Sequence, residues 1–495
     1  MRDRRAPEEL DGGGRVSVAA KPRSIAVASE RARSARWALA GLSLSMLMAS
    51  LDTSIANAGL PTLARAFGAS FPQVQWIVLA YLLSVTALVV GAGRLGDLFG
   101  RRSLLLSGIS LFTLASLGCG FAPSLPLLIV SRAAQGMGAA VMMALTVAFV
   151  GETVSQEKTG AAMGLLGTMS AIGTALGPSL GGFIISGLGW PAIFLLNVPL
   201  GLIALGLVRR HLPKDRPAPK AERAAFDFVG TSVFALSLAA YALALTFGDG
   251  EFGPVNAALM GLSVLGIVVF VFVERRTNSP LLRLAMFRDR ALSGSLVAGA
   301  LVSTVIMSTL VVGPFYLSRT FGLDAVSMGL ALSVGPAVVA LSGVPAGRAA
   351  DRFGAGRTTA AGLVAMAIGT LLLSLTPTVI GVAGYVLPIV VVTAGYALFQ
   401  TSNNAFVMDG VPIEQRGVVS GMLGLSRNLG LITGASAMGA VFALASGATD
   451  ITTAQPAAIS FGMRATFGVG AALIAAALVV ARASRAGTVS DSHKS

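Results

Sequence analysis

Apolar residues along this chain fall in long unbroken runs rather than in alternation with polar ones. The runs lie at roughly 36–58, 73–94, 103–121, 125–150, 159–184, 190–208, 228–247, 255–273, 291–313, 327–347, 357–377, 382–408, 418–443 and 459–481. Each is close to the ~20 residues that carry an α-helix across a bilayer core ~30 Å thick. A membrane β-barrel is excluded, because its strands are ~10-residue segments in which apolar and polar positions alternate. The pattern predicts an all-α polytopic membrane protein with fourteen transmembrane helices.

Composition agrees and removes the alternatives. Of 495 residues, 54% are hydrophobic and 12% charged, with a mean hydropathy of +0.80. A soluble protein carries roughly 25% charged residues, and a disordered chain is far less apolar. The net charge of +14 would ordinarily raise nucleic acid as a partner. In a polytopic chain it reports sidedness first. With the N-terminus inside, 31 of the 36 Lys and Arg residues fall on the cytoplasmic side. Arg65, Arg319 and Arg464 fall outside, and Arg132 and Arg427 lie within spans. Both termini are therefore expected in the cytoplasm, the bilayer is the main partner, and no nucleic-acid partner is invoked. Segment 1–35 mixes both charges and lacks the short apolar core of a cleaved signal, so it reads as a disordered cytoplasmic tail. Cys119 is the single cysteine, and His211 and His493 are the only histidines. No metal site, internal disulfide or Ser-His-Asp site is expected.

The chain repeats itself. Gly93, Arg94, Asp97, Phe99 and Gly100 recur as Gly347, Arg348, Asp351, Phe353 and Gly354 at one offset, 254. Gly164, Gly167, Gly173 and Gly177 recur as Gly421, Gly424, Gly430 and Gly434 at an offset of 257. Two matches at nearly one offset define six-helix halves with two helices inserted between them. The expected organisation is a tail over 1–35, a first half over 36–208, a linker with two extra helices over 209–290, a second half over 291–481 and a tail over 482–495. Parallel halves of this kind surround a midplane site in transporters.

Several segments together carry a family resemblance. Leu51-Asp52-Thr53 through Pro61 lies in span one, Gln75-Trp76 and Tyr81 in span two, and Gly93 to Arg102 in the loop that follows. Arg132-Ala133-Ala134-Gln135-Gly136-Met137-Gly138 lies in span four, Gly173 to Gly182 in span five and Asn197-Val198-Pro199 in span six. In this order they resemble the major facilitator superfamily, and within it the fourteen-helix drug:proton antiporters of the multidrug-resistance type. The resemblance covers roughly 36–481. It implies a major facilitator fold arranged as 6+2+6 helices with pseudo-twofold related halves. It also implies efflux powered by the proton gradient with no cofactor. Two departures stand out. Pro191-Ala192 follow Trp190, where the family often has Arg-Trp. The extra carboxylates that exporters of dications often carry in later spans are not evident.

The candidate residues follow from scarcity of charge. Asp52 is the only carboxylate well inside a span, where a charge costs about 2.5–3.5 kcal/mol on insertion scales. It lies about six residues before the outer end of its run, and Arg132 about seven after the outer end of its own, so the two sit at similar depth. A pair that forms and breaks would swing the affinity of Asp52 for a proton. A static ion pair that orders packing is the alternative. The resemblance also gives Arg132 a role in proton relay. Gly173, Gly177, Gly181 and Gly182 recur about every helical turn beside Pro178. They read either as ordinary close packing or, by resemblance, as the antiporter seam between halves. In the short loop, Gly93 and Gly100 permit tight turns, Asp97 could cap span three or pair with Arg101, and Arg102 adds to the inside charge. Recurrence of the acid as Asp351 and the resemblance suggest a conformational latch. Asn57, Tyr81, Gln135, Gln400, Asn403, Asn404 and Arg427 are candidates to line the substrate cavity or to bond helices together.

The function expected from these residues is proton-coupled export of small amphipathic molecules by a monomer in a bacterial inner membrane, with the halves rocking about the cavity. An uptake permease on the same fold is the alternative. An integral-membrane enzyme fits less well, since such sites cluster His, Cys or carboxylates inside the membrane.

Overall fold

A computed structural model describes residues 22–153, 159–215, 227–247, 253–277, 284–409, 411, 416–447 and 454–491. For 22–32, Val90, Asp97, 151–153, Gly160, 284–285, 416–417 and 485–491 the description covers the backbone alone. The tail over 1–21, Lys158, Arg216, Lys220, Arg223, Arg283 and Lys494 lie outside the described residues.

Helices α1 (Pro22–Phe67), α2 (Phe71–Phe99), α3 (Arg101–Gly120), α4 (Leu125–Thr153), α5 (Thr159–Leu188), α6 (Pro191–Leu195) and α7 (Asn197–His211) form the first half. Helices α8 (Phe228–Thr246) and α9 (Pro254–Arg276) follow. The second half comprises α10 (Arg290–Phe321), α11 (Ala325–Phe353), α12 (Ala355–Leu375), α13 (Ala383–Met408), α14 (Arg416–Thr433), a π-helical turn at Gly434–Met438, α15 (Gly439–Ser446) and α16 (Pro456–Asp491). They make 14 crossings long and apolar enough to span a membrane, and no strand occurs among the described residues.

Three features differ from the sequence expectation. Helix α1 begins at Pro22 and α16 runs to Asp491, so the expected tails over 1–35 and 482–495 are helical where they are described. The sixth crossing breaks into α6 and α7 because Pro199 has no N–H to offer the Leu195 carbonyl one turn earlier. The thirteenth crossing passes through the π turn, which loosens the helical ladder and leaves carbonyls free for other donors.

The halves pack alike. Helix α1 packs on α4, α5 and α7, α2 on α4, and α3 on α4 and α7. At the matching places α10 packs on α13, α14 and α16, α11 on α13, and α12 on α13 and α16. Gly100 (φ 92°) and Gly354 (φ 85°) make the same sharp turn ahead of α3 and α12, a backbone region that glycine enters without a Cβ clash. Helices α8 and α9 pack on one another, and α8 bonds to both halves. Trp76 Nε1 donates to Thr246 Oγ1 at 3.0 Å, and the Tyr241 hydroxyl to Thr433 Oγ1 at 3.4 Å. On α9, Leu262, Leu265, Val268 and Phe272 remain exposed, as a lipid-facing surface requires.

The halves meet away from the end that carries the chain termini. Gly182 touches the Ala325 carbonyl on α11, Gly329 touches the Pro178 carbonyl on α5, and the Ser179 N–H donates to Ser333 Oγ at 2.9 Å. On the opposite side of the molecule, Gln75 Nε2 donates to the Ala435 carbonyl of the π turn at 2.7 Å and touches Gly439. The two seams are related by the internal repeat, since Gly182 corresponds to Gly439 and Gln75 to Gly329. Between them the Phe71 ring stacks edge-on against Phe315 (4.9 Å) and Phe442 (5.3 Å). Toward the termini, a Cβ at Gly164, Gly167, Gly421 or Gly424 would meet nothing within 4 Å. The close approach of the halves thus lies at the far end, and these four glycines toward the termini make no such contact.

Candidate functional site: a buried ion-pair cluster beside a central cavity

Within the first half, the Arg132 guanidinium donates to Asp52 Oδ2 at 2.5 Å, and both side chains are buried. The match in depth read from the sequence thus corresponds to direct contact between α1 and α4. The other oxygen, Asp52 Oδ1, accepts from Gln135 Nε2 at 2.8 Å and from Asn197 Nδ2 at 2.7 Å. Gln135 Oε1 accepts from Arg132 Nη1 at 2.6 Å, and Gln135 Nε2 also reaches Ser116 Oγ at 2.8 Å. Arg132 Nε donates to the Ile77 carbonyl at 3.0 Å. The Tyr81 ring lies 4.5 Å from the guanidinium carbon and the Phe194 ring 5.7 Å. Every partner of Asp52 is a donor, which is the arrangement an ionised carboxylate needs.

Sequence reading missed Asn197, Ser116 and Phe194 as members of this cluster. Asn197 stood in a quoted motif with no role assigned. Gln135 was expected on the cavity wall. It lies instead in the cluster, because a residue three positions after Arg132 shares its helical face.

On the other side of α1 lies a cavity of about 280 Å³ between the halves. Its wall includes Thr53, Asn57 and Tyr81 from the first half and Tyr385, Tyr396 and Arg427 from the second. Tyr81 belongs to both places, since one face of its ring covers Arg132 and the residue lines the cavity. Gln400, Asn403 and Asn404, also expected there, are not among the residues of the wall. Asn403 is buried against the Ser295 carbonyl at 3.5 Å, and Asn404 is exposed.

The glycine motif of α5 serves two contacts rather than one. A Cβ on Gly173, Gly177 or Gly181 would press into α1, at the Leu47 carbonyl, Ser54 and Ile55 respectively. These three glycines therefore pack α5 on α1 inside one half, and Gly182 together with Pro178 faces the other half. Of the two readings of this motif, close packing describes Gly173, Gly177 and Gly181, and contact between halves describes Gly182 and Pro178.

In the loop from Gly93 to Arg102 the side chain of Asp97 lies outside the described residues, and a residue not singled out in the sequence, Asp215, caps α3. Asp215 accepts from the Arg102 N–H at 2.8 Å, the Ser103 N–H at 2.9 Å and the Ser103 hydroxyl at 2.6 Å. The Arg102 guanidinium also donates to the Arg209 carbonyl. The loop is thus tied to the end of α7 within its own half. In the second half Asp351 is exposed. Partial burial works to raise the Asp215 carboxyl, but the hydrogen bonds from Ser103 and Arg102 and the Arg102 charge outweigh it, leaving it below the usual carboxylate range. A depressed value in the folded state stabilises above the unfolded range and is lost as pH falls through it. Asp215→Asn keeps the cap and removes its charge, so it is expected to lower stability by about 0.3–1 kcal/mol at pH 7, the scale of a negative charge at a helix N-terminus. The difference between variant and parent should close below about pH 4. Thermal unfolding across that range checks both.

With this geometry in view, relatives place the chain. It is 34% identical over 393 residues to the uncharacterized transporter YebQ of Escherichia coli, covering 79% of this chain and 85% of that one. It is 30% identical over 411 residues to the multidrug resistance protein Stp of Mycobacterium tuberculosis, covering 81% and 74%. The fold matches a bacterial homologue of the human lysosomal transporter Spinster, solved inward-facing and unoccupied, with a TM-score of 0.66 at 15% identity over 91% and 97% of the two chains. Residues 42–435 match the family model for the Major Facilitator Superfamily, and the protein belongs to that superfamily.

Proposed function

We propose that this transporter is a proton-coupled secondary active exporter of small amphipathic molecules, drugs or antibiotics among them, in a bacterial inner membrane with both termini in the cytoplasm. With that orientation the end that lacks those close contacts faces the cytoplasm, and the cleft opens there. Asp52 is then ionised while the cavity is open to substrate from inside, as an antiporter requires after releasing its proton inward. Rocking of the halves opens the far end. A proton arriving there neutralises Asp52 and removes the charge that Arg132, Gln135 and Asn197 hold. Tyr81 carries this reading: the residue that covers Arg132 also lines the cavity, so occupancy of the cavity and the state of the ion pair are felt by one side chain. The name of the relative Stp supports drugs as the substrate class.

Everted membrane vesicles test the proposal. Energised vesicles containing the protein should accumulate a transported drug, and adding that drug to vesicles with a preformed pH gradient should release protons. Accumulation unaffected by an uncoupler would sink proton coupling. Net uptake into intact cells would identify an uptake permease instead.

A further inference from the structure

The cavity carries a charge that its own wall does not balance. Among its lining residues the ionisable groups are Arg427 and the tyrosines Tyr81, Tyr385 and Tyr396, and none is Asp, Glu or Lys. Arg427 projects from α14 and is exposed. No carboxylate pairs with it among the described residues. The carboxylate of the first half, Asp52, is buried and already neutralised by Arg132, so it offers Arg427 no counter-charge. An unpaired guanidinium in a membrane-embedded cavity is stabilised by any anion that enters with its substrate.

A second observation comes from the other half. Asn57 also lines the cavity, and both its amide nitrogen and its amide oxygen are buried with no hydrogen-bond partner. A buried amide left without partners is costly and takes a ligand that both donates and accepts. Between these polar points the wall is apolar, with Met143, Met307, Leu310, Leu332, Ile389 and Leu431.

We infer that the substrates are amphipathic organic anions, whose acidic group pairs with Arg427 while a polar group elsewhere on the apolar body bonds Asn57. The planar fork of the guanidinium suits a carboxylate, which it can hold through two parallel hydrogen bonds. A cation in the same cavity meets like charge with no acid to offset it. This inference rests on the exporter reading above and specifies what that exporter carries.

Fluorescein and rhodamine 123 test it, because they share a tricyclic xanthene body and differ in charge. Binding to the purified full-length protein is read by fluorescence anisotropy, and transport by efflux from loaded cells. The wild type should bind fluorescein in preference to rhodamine 123. Arg427→Gln should weaken fluorescein roughly tenfold or more and leave rhodamine 123 unchanged or tighter, with Arg427→Lys retaining part of the fluorescein affinity. Asn57→Ala should weaken fluorescein without altering the preference for it. Folding of each variant is checked by its thermal unfolding. Preference for rhodamine 123, absence of fluorescein binding, or unchanged fluorescein affinity in Arg427→Gln overturns the inference. Fluorescein bound with the expected dependence on Arg427 but never moved outward would leave the anion site standing and overturn the exporter reading.

Discussion

Asp52→Asn is expected to abolish substrate-driven proton movement while the protein still inserts in the membrane. The substitution preserves shape and removes the titratable group. It also places an amide where both oxygens now accept, from Arg132, Gln135 and Asn197, so one donor faces another. Arg132 is left charged and buried without its counter-charge, held by the Ile77 carbonyl, Gln135 and the Tyr81 and Phe194 rings. Breaking a buried pair by removing one partner costs about 3–5 kcal/mol, and thermal stability should fall accordingly. The loss of coupling must be separated from the loss of stability. The double variant Asp52→Asn with Arg132→Gln removes the orphaned charge, so it should recover much of the stability and none of the coupling. Proton release on adding drug to vesicles of the double variant would show that the pair is only a structural tie between α1 and α4.

Gly182→Leu is expected to force the far end of the molecule open. A Cβ at this position overlaps the Ala325 carbonyl and lies 3.1 Å from the Val326 Cα, and backbone cannot give way as a flexible side chain does. The closed seam between α5 and α11 is thereby excluded, and the population shifts toward the conformation in which that seam parts. Spin labels at Leu188 on α5 and Arg319 on α10 should report a longer distance between halves than in the parent, with transport lost. Gly177→Leu provides the contrast. Its Cβ would overlap the Ser54 hydroxyl and lie 2.9 Å from the Ile55 backbone nitrogen, so strain falls within the first half. Overpacking of this kind costs about 1–3 kcal/mol and should lower thermal stability without lengthening the label distance. An unchanged distance in Gly182→Leu would show that the seam does not hold the far end closed.

Much of the site was legible because charge is scarce. Asp52 and Arg132 stand almost alone inside spans, and counting residues from the ends of their runs set them at equal depth. Asn57, Tyr81 and Arg427 were found by the same scarcity of polar groups. Gln135 was found too but given the wrong surroundings, although its spacing of three from Arg132 was a sufficient signal. Gln400, Asn403 and Asn404 were offered as cavity or helix-bonding residues on polarity alone; they share the α13 face of Thr393 and Tyr396 but lie one to two turns further along the helix, beyond the cavity wall. Asp215 as the cap of α3 had no signal at all. It lies more than a hundred positions from the helix it caps, in a loop whose local sequence reads as solvated charge.

What the chain alone determined was the number of crossings, the duplication into halves with two helices between them, and the rarity of intramembrane charge. These properties are local or additive. A run of apolar residues partitions into lipid by its own transfer energy, whatever its neighbours do. What only the tertiary structure decided was the azimuth of each helix. Successive residues point about 100° apart around an α-helix, and packing sets which direction faces a partner. That rotation turned Asp52 away from the cavity and Asn57 toward it, divided the α5 glycines between α1 and α11, and left Arg427 facing the cavity without a counter-charge.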